Sequence, residues 1–121
     1  MKPIPEDKAR EERIGEITAD ANDIEEIMMG WFAYLDDSIV FPFEAECIEQ
    51  EQISPLRKGE KVTALELLSE EDSRNDFFVL IEWSGRKMGV PLAQLKPLKV
   101  SKETKQAIED WQYWKARGYE F

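Results

Sequence analysis

The stretch FFVLIEWSGRKMGV at positions 77–90 decides the fold class of this chain. Residues 77–83 are a run of aromatic, aliphatic and β-branched side chains, which is typical of a buried strand. The segment Ser84-Gly85-Arg86 predicts a tight hairpin turn, and residues 88–90 predict the returning strand. The centre of the protein is therefore expected to be antiparallel β structure.

Further elements are predicted on both sides of this hairpin. Shorter strand-like patterns precede and follow it, at 41–48, 61–68 and 96–100. Two amphipathic helices are predicted at 23–37 and 102–117, each with a polar residue at its start that can cap it. Four or five short strands, with one helical turn at 91–95 before the last, predict an α+β fold. We expect a small SH3-like β-barrel packed with an N-terminal and a C-terminal helix, in one domain over 1–121 whose residues 1–18 are loosely ordered.

The composition excludes several kinds of site. The chain has 121 residues, 42% of them hydrophobic, which suffices for one core. It has no histidine and one cysteine, Cys47, so Ser-His-Asp and Cys-His catalytic sites and His- or multi-Cys-ligated zinc are excluded. We expect no enzyme activity, and any metal would be a hard cation held by oxygen. With no apolar span or signal sequence, the protein is expected to be cytoplasmic, with no membrane partner.

The negative charge is concentrated in one third of the sequence. The formal net charge is −10, yet from Ile14 to Leu56 there is no lysine or arginine among eleven acids. Such a region repels phosphates, which argues against a nucleic-acid partner. Crowded carboxylates repel one another unless something neutralises them, so the pattern favours a cation or a basic protein as partner.

Four acids of this region form the predicted metal site. Asp36 and Asp37 end the first predicted helix, where free carbonyls and partial negative charge already favour a cation. Glu44 and Glu46 follow on one face of a predicted strand, about 6.6 Å apart. Calcium prefers six to eight oxygens from such a mixture of carboxylates, carbonyls and waters. No EF-hand loop is present, and Asp72 with Asp76 is predicted as a second, weaker site.

Several blocks of the chain also resemble a known family. They are GWFAYLDD at 30–37, FPF at 41–43, SPL at 54–56, FVLIEW at 78–83, VPL at 90–92, AIEDW at 107–111, YW at 113–114 and GYEF at 118–121. In this order they resemble the small calcium-binding proteins known from cyanobacteria, from about residue 16 to the C-terminus. The resemblance implies an acidic protein that binds calcium without EF-hands. In the best-known relative, calcium sequestration is tied to cell signalling.

The function predicted from the sequence is therefore that of a cytoplasmic calcium-binding protein, either a buffer or a sensor. Its ligands would be the clustered carboxylates together with backbone carbonyls. The alternative is an SH3-like interaction module whose acidic face binds a basic protein partner. A response to calcium beyond screening by salt separates the two.

Overall fold

The structure, a computed structural model, describes residues 7–48, 55–68 and 76–116. Three helices and five strands occur within this part of the chain. They are, in order, α1 (Lys8–Ile17), α2 (Ile24–Ser38), β1 (Phe43–Cys47), β2 (Lys61–Leu67), β3 (Phe78–Trp83), β4 (Arg86–Pro91), β5 (Leu95–Leu98) and α3 (Lys102–Ala116). The α+β class is confirmed. No helix of the described residues is long and apolar enough to cross a membrane.

The strands form one antiparallel sheet in the order β4-β3-β2-β1-β5. The predicted hairpin joins β3 to β4, and Ser84 and Gly85 at its turn have φ of 51° and 75°. A single 3-10 turn, Leu92–Gln94, carries the chain from β4 across to β5, which pairs with β1. The local pattern at 77–95 thus predicted both the hairpin and the helical turn.

The predicted SH3-like barrel is not what the strands form, because the sheet is open. Its edges are β4 and β5, and within the described ranges these two strands do not pair with each other. Helices cover the core instead of a closing strand. Trp111 on α3 packs edge-on against Phe77, just before β3, with ring centroids 4.7 Å apart. Trp31 on α2 lies 5.1 Å from Trp111 and 5.5 Å from Trp114. These three tryptophans are buried in the core.

The N-terminal part of the chain is helical where the sequence predicted a loosely ordered segment. Helix α1 buries Ile14 and is capped by Asp7, whose carboxylate accepts from the Arg10 N–H. Its arginines reach a distant partner: Arg10 Nη1 and Arg13 Nε donate to the buried carboxylate of Asp110 on α3, at 2.8 and 2.9 Å. The partner lies about a hundred residues away, so no local pattern predicts this attachment.

Candidate metal site

The last turn of α2 presents two carboxylates to solvent. Asp36 and Asp37 are both exposed, and this turn contains no basic residue. Carboxylates are unfavourable at a helix C-terminus because the macrodipole places partial negative charge there. The structure therefore has two carboxylates at the C-terminal end of the helix, where the sequence placed them. A bound cation would offset the unfavourable negative charge at this end.

The backbone at the same turn also offers free oxygens. The Ile39 N–H donates to the Leu35 carbonyl at 2.9 Å, and the Ser38 carbonyl accepts from Thr104 Oγ1 at 3.3 Å. Among the described residues, no N–H or side chain donates to the carbonyls of Asp36 or Asp37. Each aspartate thus offers a carboxylate and an unpaired main-chain oxygen. Calcium binds oxygen donors of both kinds.

The N-terminal turn of α3 lies against this end of α2, which sequence reasoning missed. The Thr104 side chain is 1% exposed, and its hydroxyl oxygen accepts from the Val40 N–H at 3.1 Å. Ser101 caps α3, because its Oγ accepts from the Thr104 N–H at 3.2 Å. The positive end of one helix dipole therefore meets the negative end of another.

Strand β1 places the other two predicted ligands on one face. Phe43, Ala45 and Cys47 are buried, whereas Glu44 is exposed and Glu46 partly so. The alternation matches the predicted strand. Glu44 and Glu46 therefore point to the outer side of the sheet, away from the core.

The neighbours of these two glutamates differ. Glu46 lies directly opposite Lys61 on β2 and Lys96 on β5, so two exposed lysines flank it across the sheet. Glu44 lies opposite Thr63 and Leu98, which carry no charge. The acidic third of the sequence contains no lysine or arginine, but strand pairing places two lysines from outside it beside Glu46. Opposite charges on facing strands attract one another, which makes Glu46 the weaker candidate ligand.

A groove lies between the end of α2, strand β1 and the start of α3. It has a volume of about 560 Å³, and Glu44 and Lys99 line it together with Val40, Phe43 and Thr104. The Val40 side chain is 66% exposed at its rim. Of the four predicted ligands only Glu44 faces this space, and the two aspartates lie outside its walls.

The predicted second site has a different environment. The Asp76 carboxylate accepts from the Phe77 N–H at 2.8 Å and lies 3.3 Å from Lys115 Nζ. The ammonium group of Lys115 therefore already provides a positive charge beside this carboxylate. Asp72 lies outside the described residues.

The donor atoms of the predicted site are of the type that binds a hard cation. Within 7–48, 55–68 and 76–116, no three His, Cys, Asp or Glu side chains converge where they could hold a metal. The candidate donors are all oxygens, and both aspartates are exposed. Carboxylate, carbonyl and water oxygens are the donors that calcium binds.

Comparison with known proteins identifies the family. A family model of the CcbP type, described as calcium binding, matches residues 12–115. The chain belongs to this calcium-binding family. The resemblance seen in the sequence blocks is therefore confirmed, and it extends over most of the chain.

Two solved structures support this assignment. The crystal structure of Anabaena CcbP is 34% identical, with a TM-score of 0.83 over 100% of both chains. A structure described as a calcium binding protein in the calcium-binding form is 33% identical, with a TM-score of 0.85 over 100% of both chains. No curated protein sequence matches. The fold of the present chain is thus that of its family.

Proposed function

We propose that this chain binds Ca²⁺ at the acidic end of α2 and serves as a cytoplasmic calcium buffer or sensor without catalytic activity. The observation that carries the proposal is the pair Asp36 and Asp37. Both are exposed in a helix turn without a base, and both have main-chain carbonyls without a hydrogen bond from the described residues. Family membership and a chain without histidine support the same conclusion.

The ligands are proposed in a definite order. Asp36 and Asp37 hold the ion, and Glu44 joins them from the groove side by rotation of its exposed side chain. Glu46 contributes least, because Lys61 and Lys96 face it across the sheet. The bound ion supplies positive charge that offsets carboxylate repulsion and the helix dipole. Asp76, with Lys115 beside it, and Asp72 are proposed as a weaker second site.

Calorimetric titration of calcium into chelator-stripped protein tests the proposal. The buffer contains about 0.15 M salt and millimolar magnesium, so that general screening is already saturated. The test variant is D36N/D37N. Its matched control is E25Q/E26Q, which removes the same charge from the opposite end of the same helix, roughly 17 Å away.

Saturable binding by the wild type, lost in D36N/D37N and kept in E25Q/E26Q, is the expected result. An equal loss of calcium affinity in both variants would show that the ion is attracted only by the overall negative charge of the protein and not by a specific site. If D36N/D37N kept the calcium affinity of the wild type, the site would have to lie elsewhere in the protein. The double variant D37N/E46Q is expected to lose the tightest binding, mainly through Asp37.

A second candidate function is binding of a basic protein to the same acidic surface. The exposed Val40, which follows Asp37 by three residues in the chain, favours it, because an exposed apolar residue in the same segment as two exposed acids suits a basic and partly apolar partner. This function predicts a salt-sensitive complex that forms with chelator present. It also predicts that the calcium titration shows no binding when magnesium is present. Recovery of one stoichiometric basic partner under those conditions would favour it.

A further inference from the structure

The hydroxyl of Thr104 is buried at the junction between the acidic turn of α2 and strand β1. It makes three hydrogen bonds: it accepts from the Val40 N–H at 3.1 Å and from Ser101 Oγ at 3.1 Å, and it donates to the Ser38 carbonyl at 3.3 Å. The side chain is 1% exposed. A buried hydroxyl with all of its bonding capacity in use holds the groups around it in fixed positions.

These bonds reach the short connection that separates Asp37 from Glu44. Ser38 ends α2, Ile39 is extended with φ of −90° and ψ of 126°, and β1 begins at Phe43. Fixing the Ser38 carbonyl and the Val40 amide sets the direction in which the chain leaves the helix. That direction determines how far the carboxylates of the turn lie from the strand.

The same bonds decide which carbonyls are free. In a continuing helix the Val40 N–H would donate to the Asp36 carbonyl, four residues earlier. Here it donates to Thr104 instead, and the described residues leave the Asp36 carbonyl without a donor. Thr104 therefore uses the Ser38 carbonyl and leaves that of Asp36 open.

We infer that Thr104 is a positioning residue for the calcium site: it orients the acidic turn of α2 relative to Glu44 and keeps the Asp36 carbonyl free for the ion. This inference rests on the proposed calcium-binding function. Thr104 does not touch the ion. It acts as the outer-shell partners of metal ligands do, whose removal weakens metal binding about 10- to 100-fold.

Three variants test this role. T104V keeps the shape of the side chain and removes the hydroxyl, whereas T104S keeps the hydroxyl. S101A is the matched control, because it removes the neighbouring hydroxyl that caps α3 and bonds Thr104 but does not bond α2. Calcium affinity is measured by calorimetry, and exchange of the Val40 amide is measured by NMR in calcium-free protein.

The expected result is a loss of affinity of about tenfold or more in T104V, with faster Val40 exchange, rescue by T104S and affinity within about twofold of wild type in S101A. Unchanged affinity in T104V would overturn the inference. Equal weakening in T104V and S101A would also overturn it, because a general loss of stability would then explain both. A wild type that does not bind calcium would instead refute the proposed function, and the inference with it.

Discussion

The Tyr34 hydroxyl donates a hydrogen bond of 2.7 Å to Asp110 Oδ2, and this bond joins α2 to α3. The same buried carboxylate accepts from Arg10 and Arg13 of α1, so one side chain links all three helices. Asp110 is 0% exposed. Its charge is balanced by two guanidinium groups, which explains how a chain of net charge −10 can bury an acid.

The variant D110N is expected to destabilise the protein by about 3–5 kcal/mol, because it leaves two arginines without their buried partner. Chemical denaturation measures the change. The control D7N removes an acid that also contacts Arg10, at 3.4 Å, but is 47% exposed. It is expected to cost under about 1 kcal/mol. Similar effects of the two variants would contradict the central role of Asp110.

Tyr34 is expected to ionise late. Burial and the hydrogen bond to Asp110 raise its pKa from 10.0 to about 12. Because the folded pKa is the higher one, the contribution of Tyr34 to stability is complete below pH 10 and is lost as pH rises toward about 12.

Tyrosinate absorbance during an alkaline titration measures this ionisation, with Y34F as the reference that lacks it. Stability of Y34F is expected to fall less than that of the wild type over the same interval. A Tyr34 that ionised at its ordinary pKa, with parallel stability profiles for the two proteins, would show that the bond to Asp110 is absent in solution.

Two glycines are expected to respond oppositely to alanine. A Cβ at Gly30 in α2 would overlap the main-chain carbonyl oxygen of Ile17, whereas a Cβ at Gly15 in α1 would meet nothing within 4 Å. G30A should therefore destabilise by roughly 1–3 kcal/mol despite its better helix propensity. G15A should stabilise by about 0.5–1 kcal/mol. Thermal unfolding compares them, and a stabilising G30A would refute the close packing of α1 on α2.

The two glutamates of β1 are expected to differ in calcium binding. E44Q should weaken affinity more than E46Q, because Lys61 and Lys96 already face Glu46. Replacing both lysines, in K61Q/K96Q, should strengthen calcium binding by freeing that carboxylate from its neighbours. Calorimetry of the three variants under one buffer checks the order. A larger effect of E46Q than of E44Q would reverse the proposed ranking.

The sequence by itself determined the elements whose causes are local. The alternation at 41–48 predicted which side chains of β1 face the core, and the pattern at 77–95 predicted the hairpin and the 3-10 turn. A polar residue was predicted to cap the start of the last helix, and Asp36 and Asp37 were predicted as the acidic end of α2. Each depends on residues only a few positions apart, so propensity and periodicity suffice. The family blocks predicted calcium binding.

Only the tertiary structure decided the relationships between distant residues. Strand pairing placed Lys61 and Lys96 beside Glu46, in a region that contains no base along the chain. Helix packing attached the helix at 8–17 to the buried Asp110 and brought Thr104 to the end of α2. The strands form an open sheet where a barrel was expected. These contacts join residues far apart in sequence, and their energies depend on burial and on charges that no local pattern contains.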